Sequence, residues 1–521
     1  MNASRGAAFV LVGLLLVSTG VGGDDRSAEA CRSGKSCLNN GDWVSAVAAF
    51  TEALRLDAKS SDAYYGRGLA WREKGEFAKA IADYTEAIRL NSKLADAYYG
   101  RGIAFCRVRK LGSAIADFTT AIRLNPKDAE AFWSRAWAYE QMGERDKAIA
   151  DYTELIRLAT NVSDAYRNRG SAHNDAGEHD KAIADFSEAI RLEPKDDRAY
   201  NNRGTAYASK GQLDNATADY SAAVRLNPKC APAFYNRGIA YCQKGEADKA
   251  ITDFTEAIRL NPRYAAAYSN RAVAYSDRGD YPRAVADCTQ AIHLDAKRAA
   301  AYCNRAFAYS EQGEHAKAIA DCTQAIHLDP RFAKAYCNRG RAYGEQGDLD
   351  KAVADCTEAI RLDRKLAEAY SNRGISYAYQ GEYGKALADC AQAIGLKPKY
   401  DKAYYCRGST YYFQHEHDKA IVDFTEAIRL NPKYAEAYLG RGHCYRAKGE
   451  NAKAEVDFMR AKKLGGKAPH FPWRKVMTQG QAFNVAFDSP ASRPPWCARG
   501  SSTSPATVSS TRRRWPAGPT S

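Results

Sequence analysis

Across 521 residues the chain carries 76 Lys and Arg against 62 Asp and Glu, a formal net charge of +14. Half of that excess, +7, falls in residues 465–521, so the rest of the chain is too thinly basic for the stripe that a phosphate-tracking surface needs. Beyond the N-terminus no apolar run approaches the roughly 20 residues that a membrane-spanning helix requires.

The chain opens MNASRGAAFVLVGLLLVSTGVGGDD, with Arg5 before an apolar run from Ala7 to Val17 and small residues ending at Gly23. That layout predicts a secretory signal over residues 1–23, cleaved after Gly23, and an exported protein in the periplasm or outside the cell. The alternative is an uncleaved N-terminal anchor, the only route to a membrane, for which the run is short. No Cys follows the run to accept a lipid.

From Ala28 to about Leu464 the sequence repeats every 34 residues with no insertion or deletion, giving thirteen units that start at residues 27, 61, 95 and onward to 435. The stretch from Ala333 to Arg364 shows the unit: an aromatic at position 4 (Tyr336), Gly at 8 (Gly340), an aromatic at 11 (Tyr343), and Ala at 20 and 27 (Ala352, Ala359). Apolar residues spaced three, four and seven apart make one face of a helix, and two such faces flank Gly347 and Asp348. Each unit is therefore a helical hairpin. Small residues at positions 8, 20 and 27 permit close helix approach.

This pattern resembles the tetratricopeptide repeat. The resemblance implies an all-α fold, a right-handed α-solenoid or superhelix of tandem hairpins, whose concave groove is lined by first helices. It gives a degenerate repeat over 27–60, twelve full repeats over 61–468 and a tail over 469–521. Two units depart at the turn, where Arg109 and His415 replace Gly, and the closing Pro is missing at Ser92, Ala296 and Arg364. Such turns are expected to be strained or rebuilt.

Every unit but the first has Arg at position 7 and Asp at position 23, as in Arg339 and Asp355, whereas the first has Ser33 and Ala49. Joint presence and joint loss predict a bidentate, partly buried Arg–Asp pair across each hairpin. Of the 14 Cys, Cys288, Cys322, Cys356 and Cys390 share position 24, where other units carry Tyr84 or Phe118. Equivalent positions of stacked hairpins lie about 9 Å apart, beyond the reach of about 7 Å of a bridge, so these read as small buried hydrophobes. Cys31 and Cys37 are the pair left open. After Leu464 the composition turns to Pro, Ser, Gly and Arg, and the tail, with Arg512, Arg513, Arg514 and Trp515, is expected to be disordered and solvated.

No phosphate-cradling loop, His-flanked Glu pair or nucleophile elbow interrupts the periodicity. His415, Glu416 and His417 share a turn, but spacing places no further metal ligand beside them. The expectation is no catalysis, no cofactor, no metal and no evident small-molecule substrate. Binding has better support. Position 6 is Asn in seven consecutive units, Asn168, Asn202, Asn236, Asn270, Asn304, Asn338 and Asn372. Amides at one repeat's rise can hold the backbone of an extended peptide without reading its sequence, and this looks like the asparagine ladder of O-linked N-acetylglucosamine transferases, though no catalytic domain follows. Tyr235, Ile239 and Phe307 are the expected apolar anchors. The two-carboxylate clamp of chaperone-tail binders is missing, because the units of Lys334 and Lys402 carry Asn338 and Cys406 where it needs Arg. Groove charge is mixed, from Arg72 and Arg107 to Asp96, Glu130 and Glu368, which speaks against nucleic acid. The reading is an exported protein-binding scaffold for peptides or proteins; the alternative is the substrate-recognition subunit of an enzyme whose catalytic part is another chain.

Overall fold

The computed structural model describes residues 23–159 and 162–464. The expected signal, apart from Gly23, and the whole tail from 469 lie outside the described residues. Among them are twenty-six α-helices, from α1 (Gly23–Asn39) to α26 (Asn451–Lys463), in consecutive pairs and with no strand. They divide into two compact units, one ending at Ala199 and the other starting at Tyr200.

The pair α19 (Ala333–Gln346) and α20 (Leu349–Leu362) shows why the sequence folds this way. In α20 the buried residues are Ala352, Asp355, Cys356 and Ala359, spaced three, one and three apart, a single stripe on a helix. In α19 the buried residues are Ala335, Cys337, Asn338, Gly340 and Ala342, and a Cβ on Gly340 would stand 2.8 Å from Cys356 Sγ. Between the helices Gly347 takes φ +88 in the left-handed region, which a residue without Cβ adopts at no steric cost. Asp348 then caps α20 by accepting from the Lys351 backbone N–H at 3.3 Å.

Arg109 and His415 hold the same left-handed conformation, with φ +59 and +65. Their turns are strained and not rebuilt, since Lys110 N–H still donates to Phe105 O at 2.9 Å, as Glu76 N–H does to Trp71 O after Gly75. The turns that lack Pro also keep their bond, with Leu94 N–H on Asn91 O and Leu366 N–H on Asp363 O, both at 3.2 Å.

Position 24 fills the space between successive pairs. Tyr84, Phe118, Tyr152, Phe254 and Phe424 are fully buried, and so are Cys288, Cys322 and Cys356, which take the ring's place as free thiols. Cys390 departs from that reading, for it is joined in a disulfide to Cys406, whose Cα lies 6.4 Å away. Position 24 of one hairpin does not reach position 24 of the next, but its neighbour across the junction is position 6 of the next repeat, which lies within bridging distance. Cys31 and Cys37 are free and half-buried.

All twelve Arg–Asp pairs form. Arg339 Nε donates to Asp355 Oδ2 at 2.7 Å and Nη2 to Oδ1 at 2.8 Å, the two-pronged geometry that Lys lacks. The remaining nitrogen, Nη1, donates to Thr323 Oγ1 of the preceding repeat at 3.1 Å. One guanidinium therefore ties two repeats, which the hairpin-internal reading did not include. The rings at position 4 stack on it, with Tyr336 centred 5.6 Å from the Arg339 guanidinium carbon.

Candidate functional site

In the N-terminal unit the first helices α3 (Ser61–Glu73), α5 (Ala95–Arg107) and α7 (Ala129–Met142) pack side by side and present one common face. Position 5 puts Tyr65, Tyr99 and Trp133 on it in register, each half-buried. One flank of each ring rests on the position-24 ring of its partner helix, Tyr84 at 6.0 Å, Phe118 at 5.8 Å and Tyr152 at 5.9 Å between centroids. Beside this row Leu69 and Trp137 are half-buried, while Ile103 is covered.

A second row, of carboxylates, runs along the first turns of these helices. Asp62, Asp96 and Glu130 occupy position 2 and are exposed. Burial pushes the Tyr65 phenol up to about 12, and the Asp96 charge adds to the shift. Tyr99 is likewise pushed up to about 12 by burial, with Glu130 contributing. Both therefore stay neutral hydroxyls. The aromatic row ends at Arg167, buried in ion pairs with Asp164 and Asp196.

In the C-terminal unit the equivalent face is closed by its own side chains. Phe307 is 1% exposed, in one cluster with Val273 and Tyr400, with the Arg341 guanidinium 5.8 Å from its ring centre. Arg341 bridges Glu311 at 2.6 Å and Glu345 at 2.7 Å, their side chains only 9%, 0% and 12% exposed. His315 Nδ1 stands 2.9 Å from Glu345, and Ser310 Oγ donates to the same carboxylate at 3.2 Å. Burial alone would raise the Glu345 carboxyl, but Arg341 and His315 outweigh it and hold it below its usual range. Lys402, also buried, faces this cluster; burial brings its ammonium down to about 7, and the nearby Arg341 charge adds to the shift.

The asparagine ladder lies inside this layer. Asn236, Asn270, Asn304, Asn338 and Asn372 are at most 6% exposed, and Asn202 is 7% exposed. Five of the amide nitrogens reach back to position 5 of the preceding first helix: Asn236 to Asn201 Oδ1 at 3.0 Å, Asn270 to Tyr235 Oη at 3.1 Å, Asn304 to Ser269 Oγ at 3.4 Å, Asn338 to Cys303 Sγ at 3.3 Å and Asn372 to the Cys337 carbonyl at 3.4 Å. Asn168, in the N-terminal unit, is half-buried and donates to Tyr152 Oη at 3.4 Å. The expected row of open amides is thus corrected to a set of helix-to-helix ties. Position 6 points along the layer toward its neighbour and not out of it. The expected anchors follow: Tyr235 and Ile239 are 6% exposed, and Tyr235 stacks on Tyr264 with centroids 4.7 Å apart. The open aromatic row of the N-terminal unit was missed; its sequence signal was an aromatic at position 5 followed by a small residue, as in Tyr65–Gly66 and Tyr99–Gly100.

Among the described residues no group of three His, Cys, Asp or Glu converges to hold a metal, and no helix is long and apolar enough to cross a membrane. Burial pushes the thiols of Cys106, Cys303 and Cys444 up to about 12, so they carry no reactive thiolate at neutral pH.

The helical pairs, their fixed period and the stacked first-helix layer define an all-α tandem-repeat protein. Tetratricopeptide repeat models match residues 31–95, 99–165, 265–294, 435–464 and four successive blocks from 299 to 434, and a further TPR repeat model matches 170–211, 204–242 and 239–277. The chain belongs to the tetratricopeptide repeat family, whose fold is generally that of a non-catalytic protein-interaction scaffold. None of the curated proteins compared with the chain matches it. Among solved structures it is similar to the APC/C hetero-tetramer Cut9–Hcn1, at 13% identity over 84% of this chain and 93% of that one, with a TM-score of 0.48. It is also similar to MamA, at 25% identity over 33% and 93% with a TM-score of 0.30, and to a tetratricopeptide repeat protein from Parabacteroides merdae, at 20% over 48% and 99% with 0.36.

Proposed function

We propose that the chain is a non-catalytic scaffold that binds extended segments of partner proteins on the first-helix face of its repeats. One observation carries this reading. Tyr65, Tyr99 and Trp133 present half-open rings at one-repeat intervals, and aromatic rings are the residues that most often dominate binding energy at such faces. The C-terminal unit offers less, because its equivalent anchors are already buried in its own core.

Export belongs to the same proposal. The N-terminal apolar run supports it, and the Cys390–Cys406 disulfide fits an oxidising compartment. N-terminal sequencing of the mature protein tests it, Asp24 as first residue being the expected result.

Affinity capture from the native host tests the binding reading. Wild type is compared with a Tyr99→Ser/Trp133→Ser variant of equal helicity. Partners lost from the variant alone are expected; an unchanged set of partners moves binding to another surface.

A further inference from the structure

The two open rows of the N-terminal unit choose between kinds of partner, and this step rests on the reading of that face as a peptide surface. Position 2 carries an exposed carboxylate in α3, α5 and α7, whereas the C-terminal unit has Pro232, Ala266, Ala300, Lys334 and Lys402 there and buries the two carboxylates it does carry, Glu368 and Glu436. The exposed acidic row is therefore local to these repeats. Asp62 meets only Lys35, at 3.4 Å with both side chains more than half exposed, a contact of little strength. Arg72, whose charge also acts on Tyr65 and Tyr99, is paired with Glu73 at 2.7 Å.

A further feature lies under the rings. Tyr84, from α4 (Phe77–Leu90), passes between α3 and α5: a Cβ on Gly68 would stand 2.9 Å from its Cδ1, and one on Gly100 2.7 Å from its Cζ and 2.9 Å from its hydroxyl. The hydroxyl is buried and has no hydrogen-bond partner, whereas Tyr220 at the same repeat position donates to Thr205 Oγ1 at 3.2 Å. A buried hydroxyl left unmet is costly, and it sits at the base of the face beside Tyr65.

We propose that the first-helix face of α3, α5 and α7 selects a cationic, extended segment of a partner protein that carries an aromatic or aliphatic anchor. Lys or Arg side chains of the segment meet Asp62, Asp96 and Glu130, and the anchor lies among Tyr65, Tyr99 and Trp133. Exposed interfacial charge acts mainly on association rate and partner choice, so the preference is salt-sensitive.

The test uses the full chain and three labelled peptides that share one Trp and differ only in having Lys and Arg, Gln, or Glu at alternate positions. Fluorescence anisotropy is expected to rank the basic peptide tightest. An Asp62→Asn/Asp96→Asn/Glu130→Gln variant, checked for unchanged helicity and melting temperature, is expected to bind it about tenfold more weakly and with a shallower salt dependence. Equal affinity for all three peptides, or an unaffected triple variant, overturns the charge selection while leaving peptide binding on this face intact. A Trp133→Ala variant that binds every peptide as wild type does overturns the face itself. Deleting residues 465–521 supplies the last arm: unchanged affinity agrees with an external partner, whereas tighter binding of the basic peptide identifies the chain's own Arg512–Trp515 segment as the occupant and overturns the proposal.

Discussion

At the scale of single residues, the departures from the repeat are where energy is stored. Arg109 and His415 adopt a left-handed backbone that costs an L residue roughly 1 kcal/mol. Glycine at the same place in eleven other turns meets no such cost. Arg109→Gly and His415→Gly should each raise stability by up to about 1 kcal/mol, less the entropy that glycine adds to the unfolded chain, and urea denaturation measures the shift. Lys402 is the second departure, a lysine 5% exposed. Its pKa of about 7 in the fold lies below the usual 10.5, so between those values the folded chain binds fewer protons than the unfolded one. Stability attributable to this group must therefore rise with pH across that window and be lowest at or below its folded pKa. Lys402→Met is expected to be more stable than wild type near about pH 6, with the advantage shrinking by about pH 9.5; an advantage constant with pH would remove the assignment. The two turns were legible in the sequence from the missing Gly, but Lys402 was not, because its burial depends on how completely neighbouring repeats enclose it.

At the scale of the helical pair, the Arg–Asp tie is the feature that the sequence foretold most directly. Joint loss of both residues in the first unit was the signal, and twelve bidentate pairs are the outcome. With side chains 18% and 11% exposed, Arg339 and Asp355 are mostly out of water, and loss of one partner leaves the other charge uncompensated. Arg339→Ala and Asp355→Ala are each expected to cost about 2–4 kcal/mol, with the double variant costing at least about 1 kcal/mol less than their sum. Strict additivity in the double-mutant cycle would show that the pair does not act as a unit. Close helix approach gives a companion prediction. Ala352 is fully buried against α19, so Ala352→Leu should lower stability by about 1–3 kcal/mol through overpacking, as read from the denaturation midpoint.

At the scale of the whole molecule, repeats that contact chiefly their neighbours unfold in parts, so local probes say more than one melting temperature. The Cys390–Cys406 bridge joins α22 (Tyr383–Leu396) to α23 (Asp401–Phe413) across a separation of 16 residues, a loop for which chain-entropy arguments give about 3 kcal/mol. Reduction should therefore speed amide hydrogen exchange in α22 and α23 and leave α3 to α7 unchanged; uniform loss of protection would mean that the bridge supports far more than its own junction. The sequence by itself determined the period, the hairpin, the turn glycines, the Arg–Asp pairing and the burial of position 24, because each of these follows from local residue order: a backbone only glycine adopts freely at the turn, and the side of a helix that a residue occupies elsewhere. Only the tertiary structure decided what that side meets. The seven asparagines and Phe307 fall on the first helices as expected, but the packing of one pair on the next turns most of them into the core of the C-terminal unit. The same packing leaves Tyr65, Tyr99 and Trp133 half-open in the N-terminal one. Helical periodicity specifies direction around an axis, and the angle and distance between successive axes, on which contact with a neighbour or with water depends, are set by side chains throughout the layer.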